Sequence, residues 1–208
     1  MANRIEGLYA VTPDGCDSER LLELAAAALE GGARVLQYRD KSRDPARRLW
    51  QANLLASLCR GRGAAFIVND DIELALATGA DGIHLGRDDG DIAAARARLG
   101  PAAIIGASCY DQLELARRAA AAGASYVAFG AVFPSQTKPG AAAAPLSLFA
   151  EAAALRLPRV AIGGITAANA GQAIQAGADA IAVIGGLFDQ LDPAAAAREL
   201  AAMFPQPA

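Results

Sequence analysis

The chain has 208 residues, 54% hydrophobic and 20% charged, with a net charge of −3. A chain of this length buries roughly 70% of the surface that its unfolded form exposes, so one domain spanning residues 1–208 with a sizeable core is expected. The mild negative charge and the lack of a basic run argue against nucleic acid or an acidic membrane surface as partner. Three scattered cysteines, no CxxC pair and a single histidine, His84, argue against a zinc site and fit a reducing compartment. The start, MANRIEGLYAV, has no apolar stretch behind a basic one, and no apolar run of membrane-spanning length lacks turn breakers. These features predict a soluble cytoplasmic protein.

Taken in order, short apolar runs fall at 8–11, 35–38, 65–68, 82–85, 104–107, 126–129, 160–162 and 180–184. Each is continuous rather than alternating, as expected of parallel strands buried on both faces. Between them lie Ala-, Leu-, Arg- and Glu-rich segments with helical spacing, SERLLELAAAALEGG among them. Trp50 lies in one such run and is expected to pack against the barrel. A short repeat accompanies the alternation: EGGARVLQYR, ATGADGIHLG, AAGASYVAFG and QAGADAIAVIG. In each, a helix ends at Gly, Ala and one further residue follow, and a strand begins. The Gly is predicted to take the left-handed conformation that closes helices. Eight strand-then-helix units predict an α/β fold, a single-domain (β/α)8 TIM barrel. A doubly wound open sheet is the alternative, and no GxGxxG follows the first strand to support it.

Function in such a barrel sits at the C-terminal strand ends. After the second strand, LQYRDK aims Gln37, Arg39 and Lys41 to one side by the two-residue period. A solvated pairing of the two cations with Asp40 or Asp44 is the plainer reading. After the third and fourth strands, VNDD and GRDD supply Asn69, Asp70, Asp71, Arg87, Asp88 and Asp89. Two carboxylates from neighbouring strand ends, Asp70 and Asp89, favour a hard ion such as Mg²⁺ beside phosphates. Helix capping competes for the same acids, and each motif has more acids than one cap needs. A paired-carboxylate glycosidase site fits poorly with so many cations. His84, within GIHLG, is expected to be a hydrogen-bonded barrel-interior residue rather than a base.

Ser108 follows the fifth strand. After the sixth comes AVFPSQTKPGAAAAP, a long polar loop that no helix can cross, carrying Ser135, Gln136, Thr137 and Lys138. Pro134 and Pro139 limit the conformations of the residues between them, and the loop's length suits a lid. AIGGIT and AVIGGL put Gly-Gly pairs after the last two strands, where backbone N–H groups can approach an anion. Turn chemistry alone would also use those glycines. Two phosphate-type subsites at one mouth describe a group transferase.

In their order and over nearly the whole chain, QYRDK, FIVNDDIELALATGADGIHLGRDD, IIGAS, YVAFGAVFPSQTKPG, VAIGGIT and GADAIAVIGGLF resemble the thiamine-phosphate synthase family. The resemblance implies a transferase that joins a hydroxymethylpyrimidine diphosphate to a thiazole phosphate or its carboxylate, releasing diphosphate. It implies a dissociative path through a pyrimidine methylene cation, with Mg²⁺ as cofactor. It places Gln37, Tyr38, Arg39, Asp40 and Lys41 around the pyrimidine and its diphosphate, with Asn69 beside the latter. Asp70 and Asp89 would ligate Mg²⁺, and Ser108 would touch the pyrimidine. Ser135, Gln136 and Thr137 would bind the thiazole substrate and Lys138 the diphosphate. Gly164, Ile184 and Gly185 would hold the thiazole phosphate. Arg39, Lys41, Ser108 and Lys138 would carry the catalysis. The chain departs from the pattern at Arg87 (Gln expected), Ser135 (Thr expected) and Gly185 (Ser expected). A thiazole tautomerase and a non-catalytic barrel that binds thiamine phosphate are the competing functions. The oligomeric state is left open by the sequence, a homo-oligomer included.

Overall fold

The computed structural model describes residues 5–87, 89–134 and 143–205. Eight parallel strands close in sequence order into a barrel, with β8 returning to β1. The strands are β1 (Gly7–Val11), β2 (Val35–Tyr38), β3 (Ala65–Asn69), β4 (Gly82–Leu85), β5 (Ile104–Tyr110), β6 (Tyr126–Gly130), β7 (Arg159–Ile162) and β8 (Ala180–Val183). The helices on the outside are α1 (Ser18–Glu30), α2 (Pro45–Arg62), α3 (Ile72–Thr78), α4 (Ile92–Leu99), α5 (Leu113–Ala121), α6 (Ser147–Glu151), α7 (Ala170–Gln175), α8 (Gly185–Phe188) and α9 (Pro193–Ala201). A 3₁₀ turn, Ala152–Leu155, extends α6. None of the helices described is long and apolar enough to cross a membrane.

The expected (β/α)8 barrel is present, with two local differences. Ser108 lies within β5 rather than after it, because the strand continues through a bulge between Ser108 and Tyr110. The last unit holds two helices: the four-residue α8 starts directly at the second Gly-Gly pair, and α9 follows.

The fully buried strands divide their side chains between two cores. Outward residues such as Leu8, Leu36, Phe66, Val127 and Ile181 pack under the helices. Inward residues, among them Tyr9, Val35, Ile67, Tyr126 and Val160, fill the barrel itself. Trp50 corrects an expectation. It stands 62% exposed on α2, whose buried face is instead Gln51, Ala52, Leu55, Ala56 and Cys59.

The repeat has a structural purpose at the closed end of the barrel. Its glycines, Gly32, Gly79, Gly123 and Gly177, all take positive φ, as predicted. In three of the repeats the residue after the Ala then reaches back to the preceding strand. Asp81 accepts the Phe66 N–H at 2.8 Å, Ser125 the Ile105 N–H at 3.0 Å and Asp179 the Arg159 N–H at 2.8 Å. Asp179 also holds the Arg159 guanidinium by two further bonds. Each latch satisfies a strand N–H at the barrel's closed end. Asp179→Ala leaves one unpaired and is expected to lower stability by about 1–3 kcal/mol, read as a drop in the urea unfolding midpoint. An unchanged midpoint would mean the latch contributes nothing.

Candidate active site

The mouth is built where the strands end at their C-terminal side. Gln37 is inward on β2, 4% exposed, and its amide nitrogen has no hydrogen-bond partner among the described residues. A buried donor without an acceptor marks a place for a polar ligand atom. Arg39, two residues on, is held from β1. The Thr12 hydroxyl accepts the Arg39 N–H at 2.9 Å and donates to the Arg39 carbonyl at 3.2 Å. Its guanidinium pairs with Asp14, not with Asp40 or Asp44. Thr12 and Asp14 hold Arg39 in place, and the sequence had not singled them out. Their signal was only a hydroxyl and an acid just past the first strand.

Asp40 and Tyr38 face away from Gln37. Tyr38 packs in the outer core, and its hydroxyl donates to Gln51 on α2 at 2.8 Å. The Asp40 carboxylate accepts from the Ser42 N–H, the Ser42 hydroxyl and Arg47. These bonds hold Asp40 below the ordinary carboxylate pKa despite its burial. Asp40 therefore shapes the loop that presents Arg39 and Lys41, and Lys41 itself is exposed.

The competition between capping and ligation is divided cleanly. Asp71 caps α3, accepting the Leu74 N–H at 2.9 Å, and pairs with Arg48 at the same distance. Asp91 caps α4. Asp70 and Asp89 are left over, and they stand together. Asp70 takes φ +62°, a left-handed conformation that Asp tolerates better than most residues, and its N–H bonds the His84 carbonyl at 2.9 Å. Its carboxylate accepts from Asn69, and that of Asp89 accepts the Gly86 N–H at 3.1 Å. Burial first, and then the neighbouring Asp89 charge, pushes the Asp70 pKa above the ordinary carboxylate range. Two carboxylates that repel each other suit a divalent cation. No group of three or more His, Cys, Asp or Glu side chains suited to a metal occurs among the described residues. Such a pair fits Mg²⁺, which takes its remaining ligands from water and phosphate.

Deeper in the barrel lies His84, with Nε2 2.8 Å from the Ser108 hydroxyl and Nδ1 2.9 Å from the Tyr126 hydroxyl. It is the hydrogen-bonded interior residue expected. Burial lowers its pKa to about 4, so the ring is neutral at neutral pH. Arg87, the departure after HLG, lays its guanidinium 4.6 Å from the centre of the Tyr110 ring.

Across the mouth, Gly163 and Gly164 take φ +99° and +65°. A Cβ on Gly164 would lie 2.4 Å from the Pro134 carbonyl oxygen, so this turn must be glycine for the segment after β6 to pass. A Cβ on Gly186 would lie 2.1 Å from the Ile165 carbonyl oxygen, which brings the two Gly-Gly turns against each other. The first N–H groups of α8 lack intrahelical acceptors and suit an anion. Ile184 packs on the barrel interior beneath them. At Gly185 a Cβ would come within 2.5 Å of an Asp189 carboxylate oxygen, so Asp189 takes up the space of the missing side chain. Ser135, Gln136, Thr137 and Lys138 lie outside the described residues, as does Asp88.

A family profile described as Thiamine monophosphate synthase matches residues 8–187. A thiamine-phosphate synthase of Chromobacterium violaceum is 74% identical over 98% of this chain and 99% of its own. One of Thioalkalivibrio sulfidiphilus is 59% identical, covering 97% and 96%. Among solved structures, a thiamine phosphate pyrophosphorylase of Pyrococcus furiosus superposes with a TM-score of 0.86 at 35% identity, covering 97% of this chain and 96% of that one.

The charge arrangement is directly testable. Asp89→Asn removes the neighbouring charge and is expected to bring the Asp70 pKa down towards the ordinary range, read by carboxyl NMR titration of metal-free protein. An unmoved Asp70 would mean burial alone raises it.

Proposed function

The chain belongs to the thiamine monophosphate synthase family, and from that premise we propose that its barrel mouth joins a hydroxymethylpyrimidine diphosphate to a thiazole phosphate. The products are thiamine phosphate and diphosphate. The observation that carries this reading is the paired, uncapped Asp70 and Asp89 across the mouth from the two Gly-Gly turns. That arrangement offers one subsite for a cation-bound diphosphate and another for a phosphate monoester.

The pyrimidine would enter over Gln37 and Ser108. The unpartnered Gln37 amide gives it a buried donor. Arg39, held in place by Thr12, would face the diphosphate with Lys41 and Asn69. Entry of that anion would compete with Asp14 for the Arg39 guanidinium. Asp70 and Asp89 would hold Mg²⁺, which when bound supplies positive charge to the diphosphate oxygens. Lys138 would add a further cation, and Ser135, Gln136 and Thr137 would line the thiazole side. Gly164, Ile184 and Gly185 would receive the thiazole phosphate at the start of α8. Tyr38 and Asp40 would act from behind, through the loop they brace.

The chemistry is a substitution at the exocyclic carbon. The C–O bond to diphosphate breaks, and both its electrons leave with the oxygen. The carbon is left as a methylene cation stabilised by the aminopyrimidine ring. The lone pair of the thiazole nitrogen then forms the new C–N bond. No proton transfer to a side chain and no protein nucleophile is required. The chain's own contribution is alignment of two substrates and stabilisation of the departing anion.

A second function fits less well. A thiazole tautomerase needs an acid–base residue, and the only histidine is partly buried, neutral and hydrogen-bonded on both nitrogens. Purified protein is expected to make thiamine phosphate from the two substrates only with Mg²⁺ present. No product from folded protein with both substrates and Mg²⁺ would refute the reading. Lys138→Ala removes one cation at a developing anion and should slow turnover by roughly 10²–10³, the scale of a lost oxyanion donor. Unchanged turnover would make Lys138 a surface lysine. Asp70→Asn should raise the Mg²⁺ concentration needed for half-maximal rate, and an unmoved titration would remove Asp70 from the ligand set.

A further inference from the structure

Four side chains from four strands form a hydrogen-bonded line through the barrel. Tyr9 Oη is 2.8 Å from Tyr126 Oη, Tyr126 Oη is 2.9 Å from His84 Nδ1, and His84 Nε2 is 2.8 Å from Ser108 Oγ. The closed end is sealed: Tyr9 is 2% exposed and Tyr126 fully buried. The other end, Ser108, is partly exposed at the mouth. The His84 and Tyr126 rings stack, with centroids 5.6 Å apart, which fixes the imidazole plane.

Distances alone leave two directions open, and counting protons decides between them. A neutral imidazole carries one N–H and one lone pair, and each hydroxyl carries one proton. No carboxylate hydrogen-bonds the ring among the described residues, and its buried setting favours the neutral form. In one direction Ser108 donates to Nε2, Nδ1–H donates to Tyr126, and Tyr126 donates to Tyr9. The Tyr9 proton is then left over, because Tyr126 is its only hydrogen-bond partner among the described residues. That strands a donor at the sealed end, the costly kind of unpaired group. In the other direction Tyr9 donates to Tyr126, Tyr126 donates to Nδ1, and Nε2–H donates to Ser108. Every buried donor is used, and the proton left over is that of Ser108, at the mouth.

We infer that the line runs one way, from Tyr9 to the mouth, so that His84 carries its proton on Nε2 and the Ser108 hydroxyl proton is left to be donated to the substrate. His84, Tyr126 and Tyr9 are positioning residues that act through Ser108. The inference deepens the proposed function at one point, the partner that Ser108 meets. A hydroxyl whose proton is free towards the mouth favours a ring presenting a bare nitrogen acceptor at that point, as a pyrimidine does.

His84 is the sole histidine of the chain, so its two ring nitrogens can be read without assignment. Long-range ¹H–¹⁵N correlation of histidine-labelled, ligand-free protein at neutral pH is expected to show Nε2 pyrrole-like and Nδ1 pyridine-like. The reverse pattern, or two protonated nitrogens, would overturn the direction. This result does not depend on which reaction the barrel runs, so its failure and that of the proposed function are separable. The functional half is a double-mutant cycle on KM for the pyrimidine diphosphate. Tyr126→Phe takes away the donor that holds Nδ1 and loosens the ring that aims Ser108, and KM is expected to rise roughly five- to tenfold, about one hydrogen bond, with KM for the thiazole phosphate unmoved. In a Ser108→Ala background the same change should add nothing. Multiplying effects, or equal shifts for both substrates, would reduce Tyr126 to a packing residue.

Discussion

Closure of the sheet is the constraint on which the rest depends. With β8 hydrogen-bonded to β1, no strand has a free edge and every inward side chain points at one enclosed axis. The pairing register of β3 on β4 sets Asn69 opposite His84, and that of β4 on β5 sets His84 opposite Gly106. Gly106 has room for nothing else, since a Cβ there would fall 2.0 Å from the Tyr126 ring. The bulge after Ser108 then takes up the extra residue that the β6 pairing does not match. The polar line along the axis is thus a consequence of register.

The acids at the mouth show how one short motif serves stability and function together. A helix start needs one side-chain acceptor, and Asp71 and Asp91 supply it for α3 and α4. Asp70 and Asp89 are then not needed as caps. Burial and mutual repulsion raise the energy of the Asp70 carboxylate in its ionised form. That tension is the kind a bound cation would relieve, which is why the proposed diphosphate subsite is put at the ends of β3 and β4.

Much of this was legible in the chain. Eight apolar runs lie within a few residues of the eight strands, because parallel strands buried on both faces leave unbroken apolar segments. The positive-φ glycines of the repeat were legible because the left-handed cap excludes most other residues. The inward set Gln37 and Arg39 followed from the two-residue strand period. Other features were not legible for stated reasons. Thr12 and Asp14 serve Arg39 across a gap of at least twenty-five residues, and only the β1–β2 register joins them. Trp50 is exposed because the face α2 buries is set by where the barrel lies, which its own weak periodicity does not record.

Residue types and their spacing by themselves determined the strands, the closing glycines and the family. They could not decide which acid of each motif caps a helix and which does not, since aspartates close in sequence are chemically alike until φ and a neighbour's position separate them. Nor could they decide the direction of the Tyr9–Tyr126–His84–Ser108 line. Direction follows from which end is sealed from water, and only closure of the barrel seals it.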